Sequence, residues 1–589
     1  MHILGISCHF HDAAAAILRD GQLVGAAEEE RFSRVKHDFR FPVNAIDFCL
    51  RSAKIAASDI DYVAFFEKPF LKFDRILQTS LAGFPHSRRM FQEAMGNWLA
   101  DKLWIKRLIS KNLKIGAERI LFSEHHLSHA ASAFFCSPFE ESAVLTLDGV
   151  GEWATASVGV GRGSDLKLLS EIHFPHSLGL FYSAFTAFLG FEVNEGEYKV
   201  MGMAAFGQPR YADQVRKLLH IASDGSFELD LDYFSFQHAS ERSFSSRFVS
   251  LFGEPRRPEE PFGPAELDQD GIGAEGQFDS SAMRYADIAA SVQLVTEEAV
   301  LAMARRAHEV TGVDRLCMAG GVALNSRANT RILRESGFKQ IFVQPAAGDS
   351  GAALGAALYV WHSVLGNPRG FRMEHAFWGE EQTPEQVDAF LRRTGVHADS
   401  VASDSELAGR VAEMIAAGKV IGWMQGRFEW GPRALGHRSI LADPRRAAMR
   451  EIVNRKIKFR EVFRPFAPSV LVERAAQYFD LPAPETHYPA RFMLYVVPVR
   501  EEAKASLGAV THYDGTARLQ TVARDWNPLY YQLIESYGAA TGVPVLLNTS
   551  FNLRGEPIVT TASQALSTMQ RSNLDAVIVG NRIIERAAI

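Results

Sequence analysis

The chain has no CxxC pair, no GxxxxGK[ST] loop, no excess of basic charge, and no apolar run near the ~20 residues a membrane helix needs. Each absence closes a class. The four cysteines, Cys8, Cys49, Cys136 and Cys317, are scattered, which argues against a disulfide framework and suits a reducing cytosol. Without the P-loop signature a Walker-type nucleotide site has no support. The net charge is −6, from 63 Lys and Arg against 69 Asp and Glu. That argues against general nucleic-acid or membrane-surface binding but leaves room for a local basic pocket. The first residues run into a strand-like segment and lack the zones of a secretory signal. A soluble cytoplasmic protein, with no nucleic-acid and no membrane partner, is the expectation.

What is present is a large globular chain. Its 589 residues exceed one core, and 47% hydrophobic with 22% charged residues is the usual balance for two or three domains. Ile3 to Ser7 and Ala13 to Leu18 read as strands, Asp20-Gly21 as a hairpin turn, and Leu23 to Ala27 as the returning strand. Ala143 to Leu147, Asp148-Gly149 and Ala154 to Val160 repeat that form, which suits a duplicated α/β core. Asn44 to Ala53 and Ser87 to Lys111 read as helical. Ile288, Val292, Val295, Ala299 and Met303 form one apolar helical stripe. Gly253 to Ser280, rich in Pro, Gly and acids, reads as a surface loop. Strands are expected at Leu316 to Ala319, Ile341 to Val343, Val420 to Met424, Arg491 to Val499 and Val543 to Asn548, and a small-residue helix from Ala352. The domain boundary is placed at Gly366 to Gly370, giving domains 1–365 and 370–589.

Four segments carry chemistry. In Glu124-His125-His126-Leu127-Ser128-His129, helical spacing puts His125 and His129 on one face, close enough to grip a divalent metal. His126 and His129 are also neighbours, and a plain cluster of histidines is the alternative. Asp148 and Asp349 follow strands and could complete a shell. The Asp148-Gly149-Val150-Gly151 and Gly320-Gly321 turns could cradle phosphate through backbone N–H groups, or be ordinary tight turns. His9, His11 and Asp12 end the first strand, where ligands gather in α/β sheets. His11 or Asp12 could serve as a general base, or form a hydrogen-bonded turn.

The densest signal is cationic. Gly426-Arg427-Phe428-Glu429-Trp430-Gly431-Pro432-Arg433-Ala434-Leu435-Gly436-His437-Arg438-Ser439 is followed by Lys456, Lys458 and Arg464, then by Arg518, Asn548, Thr549 and Ser550. A solvated basic face is the plain alternative. Glycines and a proline between the arginines favour an anion pocket, since Arg and Lys clamp phosphoryl oxygens.

Together these segments resemble the O-carbamoyltransferases of the nodulation-factor, cephalosporin and aminoglycoside (tobramycin) type. ILGISCHFHDAAAAIL, AAEEERFSRVKHD, HHLSHAASAFF, LDGVGEWAT, MAGGVALNS, GDSGAALGAA, GRFEWGPRALGHRSILADPR, FRPFAPS and LLNTSFN carry the resemblance over nearly the whole chain. It implies an α/β fold. The large N-terminal domain would be an actin/hexokinase-like duplicated core similar to the threonylcarbamoyl transferases, and the smaller C-terminal domain a YrdC-like α/β domain. It implies a metal, usually Fe(II), on His125, His129, Asp148 and Asp349. It implies nucleotide contacts at His37, Gly149, Gly320, Gly321 and Asn325, with His11 and Asp12 facing the acceptor hydroxyl. Arg433, Lys458, Arg464, Arg518, Asn548 and Ser550 would hold carbamoyl phosphate and ATP, with Mg accompanying the ATP.

The implied reaction has two stages. Carbamoyl phosphate and ATP give carbamoyl-adenylate and pyrophosphate in the C-terminal domain. The carbamoyl group then passes to a hydroxyl of a natural-product or sugar acceptor in the N-terminal one. A homodimer is compatible with the resemblance. A kinase on the same core, tRNA threonylcarbamoyl transfer and a non-catalytic nucleotide sensor are the rivals. No segment encodes the acceptor's identity.

Overall fold

A computed structural model describes residues 1–100, 102–239, 242–258, 260, 262, 280–461 and 463–588. The surface loop expected at Gly253 to Ser280 therefore lies mostly outside the described residues. The chain forms two compact units. One holds Met1–Glu29, His37–Glu260 and Ser280–Met373; the other holds Glu30–Lys36 and the chain from Glu374 onward.

The first unit contains two five-stranded sheets. One is built from β1 (His2–Ser7), β2 (Ala14–Arg19), β3 (Gln22–Glu28), β4 (Tyr62–Phe65) and β5 (Ile120–Phe122), in the order β3-β2-β1-β4-β5. The other uses β6 (Glu141–Leu147), β7 (Ala154–Arg162) and β8 (Asp165–His173). After a small hairpin of β9 (Leu219–Ile221) and β10 (Phe227–Leu229), β11 (Arg315–Ala319) and β12 (Gln340–Val343) complete it. Its order, β12-β11-β6-β7-β8, is the same path. In each sheet an antiparallel meander of three strands is extended by two parallel strands on the far side of its first strand. This is the actin/hexokinase-like duplicated core, and both Asp/Gly turns of the sequence repeat fall in it.

Helix Asp349–Tyr359 explains the small residues of GDSGAALGAA. It packs on helix His125–Phe134 and on β1 and β2. A Cβ at Gly355 would sit 1.9 Å from the Ser128 carbonyl oxygen, so only glycine permits this approach. The close contact brings Asp349, at the start of one helix, to the start of the other. The helix begins at Asp349 rather than Ala352.

Two expected elements come out differently. Ser87 to Lys111 is two helices, Arg88–Ala100 and Ile105–Leu113, separated by a 3₁₀ turn at Lys102–Trp104. Arg491 to Val499 opens with the end of a short helix, Tyr488–Arg491, before its strand, because the chain turns at Phe492–Met493, where Met493 has φ +58°. Beyond Gly366, Arg369 donates to the carbonyls of Phe134, Ser137 and Phe139, which fastens the segment up to Met373 to the first unit.

The second unit is a nine-stranded mixed sheet. Its strands are β13 (Asp399–Ser400), β14 (Ile421–Met424), β15 (Arg438–Ala442), β16 (Ala467–Leu471), β17 (Tyr495–Pro498), β18 (Thr516–Val522), β19 (Val545–Ser550), β20 (Ala576–Val579) and β21 (Arg582–Glu585). They are ordered β13-β21-β20-β14-β15-β19-β16-β18-β17. Helices Asp404–Ala416 and Pro528–Thr541 supply Leu407, Val411, Ile415, Tyr530, Ile534 and Tyr537 to a core with Trp423. Each aliphatic of this set contributes about 1.5–3 kcal/mol by leaving water. The N-terminal segment Glu30–Lys36 belongs here because Arg31 donates to the Gly431 carbonyl (2.8 Å) and Arg34 to the Pro557 (2.7 Å) and Ile558 (2.6 Å) carbonyls.

Candidate active sites

In the first unit, His125 and His129 lie one turn apart on helix His125–Phe134, and both are fully buried. The Glu152 carboxylate accepts the His125 backbone N–H (3.0 and 3.1 Å), fixing the start of the helix. Asp148 leaves the end of β6 and Asp349 opens its own helix. The Nε2 atoms of the two imidazoles are 3.1 Å apart. Asp148 Oδ2 lies 3.0 Å from His125 Nε2 and 3.7 Å from His129 Nε2. Asp349 Oδ1 lies 3.7 and 3.6 Å from the same atoms. One ligand atom from each residue falls within 4.8 Å of all the others.

These residues fit a divalent cation. The two Nε2 atoms and the two carboxylate oxygens converge on one point, as ligand atoms around a cation do. The buried Oδ2 of Asp349 and the Nδ1 atoms of both histidines have no hydrogen-bond partner. Two neutral nitrogens with two carboxylates suit Fe, Zn and related ions. Burial would lower the His129 pKa, but the Asp148 and Asp349 carboxylates raise it to about 9. Burial opposes ionisation of Asp148, yet the two imidazoles hold it well below the carboxylate range. Glu67, whose Oε2 is 3.9 Å from His125 Nδ1 and which is paired with Lys72, backs the cluster. His126 is not part of it. Its Nδ1 meets Thr146 Oγ1 at 2.6 Å, and burial with two neighbouring imidazoles keeps it neutral.

The glycine turns join this cluster. Gly321 N–H donates to Asp148 Oδ1 at 2.7 Å. Gly320, at φ +93°, has no room for a side chain, since a Cβ would come within 2.2 Å of the Leu147 carbonyl oxygen. The Gly149 carbonyl accepts from Ser177 Oγ (2.6 Å), and the position above its Cα is open. Asn325 caps helix Ser326–Glu335 through Ala328 N–H and exchanges two hydrogen bonds with Gln293. Gly321 N–H therefore serves Asp148, and Asn325 is engaged by its own helix.

A second group forms at the end of β1. Asp12 receives His11 Nδ1 on one oxygen (2.8 Å) and His37 Nδ1 on the other (2.9 Å). Burial would raise the Asp12 pKa, but the two imidazoles hold it below the carboxylate range. His11 Nε2 faces the Asn194 carbonyl at 3.2 Å, so both of its ring nitrogens face acceptors and both carry protons. Burial works against that charge, and Asp12 outweighs it, raising the pKa to about 10. Nothing in the sequence marked Asn194. Its role depends on a loop with Asn194 at φ +69°.

In the second unit the basic stretch divides into two sets. Arg427 donates to the carbonyls of Trp378 and Gly379, and the fully buried Arg438 donates to those of Gln425, Gly426 and His437. Burial lowers His437 to about 4, so it is neutral. These three build the loop. Glu429 Oε1 accepts the N–H groups of Leu435 (2.7 Å), His437 (2.9 Å) and Arg438 (3.1 Å), and its side chain folds the loop around Arg433. The pattern carried no cue for this carboxylate, which is buried within a basic run.

Lys458, Asn548 and Ser550 meet along β19. Lys458 Nζ donates to Ser550 O (2.7 Å), Ser550 Oγ (3.3 Å), Asn552 O (2.9 Å) and Asn552 Oδ1 (2.6 Å). Asn548 Nδ2 bonds Ser469 Oγ (3.1 Å), Gln520 Oε1 (2.9 Å) and the carbonyl of Ala434 (3.3 Å), next to Arg433. Arg518 lies two residues from Gln520 on β18, hence on the same face of the sheet. Burial, then the charges of Arg460, Arg464 and Lys36, push Lys458 well below its usual pKa, with Glu556 the carboxylate acting against them. Such a concentration of positive charge calls for an anionic ligand. Ser469 and Gln520 escaped the sequence reading because each reads as an ordinary strand residue.

Comparison with known proteins covers both units. Residues 2–358 match the family model described as carbamoyltransferase N-terminus, and residues 412–586 match carbamoyltransferase C-terminus. A Synechocystis protein, sll1178, is 46% identical over 100% of this chain and 97% of its own length. The nodulation protein NolNO of Sinorhizobium fredii is 40% identical over 98% of this chain and 79% of its own length. The 3'-hydroxymethylcephem-O-carbamoyltransferase of Amycolatopsis lactamdurans is 28% identical over 98% of both chains.

Proposed function

The chain belongs to the carbamoyltransferase family, and from that premise we propose that it is an ATP-dependent O-carbamoyltransferase with its two half-reactions assigned to different units. The C-terminal unit converts carbamoyl phosphate and ATP to carbamoyl-adenylate, and the N-terminal unit delivers the carbamoyl group to a hydroxyl of a small-molecule acceptor, a natural product or sugar. The observation that carries this reading is the buried Lys458, whose Nζ is fixed by Ser550 and Asn552 at the end of β19 within the basic segment that follows Gly426.

In the first half-reaction, water releases carbamate and phosphate from carbamoyl phosphate. A carbamate oxygen then attacks the α-phosphorus of ATP, and pyrophosphate leaves. Arg433, Arg464 and Arg518 neutralise the phosphoryl oxygens as charge builds. Lys458 gives its N–H groups to Ser550 and Asn552 and so fixes the end of β19 beside the anion site. Asn548 anchors the strand against the Arg433 loop through the Ala434 carbonyl.

In the second half-reaction the acceptor oxygen attacks the carbamoyl carbon, the bond to the adenylate oxygen breaks, and AMP departs. The acceptor's proton passes to the Asp12–His37 pair, while His11, already a cation, holds the other oxygen of Asp12 in place. A divalent cation held by His125, His129, Asp148 and Asp349 would supply Lewis-acid polarisation of the carbamoyl oxygen. The test is to mix the protein with labelled carbamoyl phosphate, ATP and a ferrous salt, and to follow pyrophosphate release and label transfer to hydroxylated acceptors. Appearance of γ-phosphate label in the product would instead make it a kinase.

A further inference from the structure

Helix Pro69–Ala82 is built inside out. Its buried positions are Pro69, Lys72, Arg75 and Ser80. Lys72 pairs with Glu67 and lies 3.9 Å from the centre of the Phe10 ring; the Arg75 guanidinium sits 5.2 Å from the centre of Phe174. The outward side carries Phe70, Leu71 and Leu81, with Phe84 just beyond the end, at 68, 43, 65 and 69% exposure. A surface helix of a water-facing protein has the opposite pattern. Leaving four large apolar side chains in water costs several times what burying one of them gains, about 1.5–3 kcal/mol each.

The neighbouring segments say what covers this face. The helix packs against helix Arg88–Ala100 and the 3₁₀ turn Lys102–Trp104, which leads into helix Ile105–Leu113. That last helix buries Ile105, Ile109 and Leu113 and exposes Lys106, Arg107 and Lys111. Arg88, Arg89 and Lys114 are also exposed, as is Trp104 at 54%. Residues 68–114 hold ten Lys and Arg against three Asp and Glu; without the buried Lys72 and Arg75, eight cations against three acids leave +5 in a chain of −6. Two copies of this face would meet as like charges, which disfavours self-association through it. A nucleic acid would match the charge, but leucine side chains do not stack on bases. Exposed Phe, Leu and Trp beside Lys and Arg match a lipid headgroup layer.

We propose that the helical insertion 69–114 docks the protein peripherally on an anionic lipid surface, with Phe70, Leu71, Leu81 and Phe84 entering the headgroup layer and the flanking lysines and arginines meeting lipid phosphates. No described helix is long and apolar enough to cross a membrane, so the attachment is to one face of the bilayer. The whole-chain charge conceals this surface because acidic residues elsewhere outnumber it.

The test is flotation of the full chain with vesicles of phosphatidylcholine alone or with added phosphatidylglycerol, at low and high salt. Binding should require phosphatidylglycerol and weaken with salt. The triple variant F70S/L81S/F84S should bind at least about tenfold less, given the apolar contribution of such anchors, and so should R88E/R89E. Circular dichroism and an unchanged melting temperature report that either variant is folded. Failure of the wild-type chain to float with phosphatidylglycerol vesicles overturns the proposal. So does equal binding by a folded F70S/L81S/F84S chain, stronger retention on RNA than on vesicles, or a dimer in light scattering that this variant splits.

Discussion

His125 and His129 bring their Nε2 atoms to 3.1 Å of each other inside the first unit, with a carboxylate oxygen of Asp148 and one of Asp349 closing on both. Four buried donors with one point in common are costly unless something positive sits among them.

Replacing His129 with Ala should remove that point without touching the second unit. The variant should bind ferrous or zinc ion at least about a hundredfold more weakly, exceeding the loss seen for outer-shell partners. Calorimetric titration measures this. Pyrophosphate release should be retained and transfer to the acceptor lost. Equal loss of both half-reactions would refute the division between units.

Arg433→Ala and Arg464→Ala should do the reverse. Arg464 acts on Lys458 and Arg433 lies beside the Ala434 carbonyl that Asn548 holds, and for each loss pyrophosphate release should fall by about 10²–10³-fold, the usual loss for one charge-stabilising donor. Metal binding by the first unit should be unchanged. Pyrophosphate release at saturating ATP, with metal content read in parallel, checks both halves of the expectation.

Glu429→Ala should leave the N–H groups of Leu435, His437 and Arg438 without their common acceptor and the buried Arg438 without its nearby carboxylate. The expected loss is about 3–5 kcal/mol of stability in the second unit. Glu429→Gln keeps an acceptor oxygen and should lose less. Urea unfolding of the two variants orders them, and an equal loss would show that the charge alone matters.

Gly355→Ala places a methyl group 1.9 Å from the Ser128 carbonyl oxygen, so one helix must move. Overpacking of this kind costs about 1–3 kcal/mol. Because the same helices carry Asp349 and His129, weaker metal binding should accompany the fall in melting temperature. A stability loss with unchanged metal affinity would show that the cluster tolerates the shift.

His11 gives the stability a pH dependence with a defined sign. Its folded pKa, about 10, is above the ordinary value of 6.5, so its contribution is complete below 6.5 and fades as the pH rises toward 10. Asp12, shifted the other way, contributes above its ordinary value of 3.8 and loses that contribution in acid. Melting temperature measured from pH 6 to 10 should fall more for the wild-type chain than for His11→Gln. Parallel curves would mean that His11 is not held as a cation.

The duplicated core was legible because the strand, Asp/Gly turn, strand form recurs and because alternation and helical stripes are local properties. The histidine spacing was legible for the same reason: four residues on a helix is one face. The helix break near Lys102 and the short helix before Tyr495 were not, since apolar periodicity alone does not mark where a helix gives way to a turn. Of the basic stretch, the sequence supplied the count of charges and nothing about their assignment. Arg427 and Arg438 look like Arg433 in one dimension.

By itself the sequence determined the family, the α/β class, the helical pairing of His125 with His129 and the presence of an unusual density of cations after Gly426. Tertiary structure alone decided that Asp148 and Asp349 reach those histidines, that Glu30–Lys36 joins the distant C-terminal unit, that Arg438 supports the loop beside Arg433, and that helix Pro69–Ala82 faces outward with its apolar side. The reason is physical. Periodicity and propensity act between near neighbours, whereas a buried charge or an exposed leucine is defined by what the rest of the chain places against it.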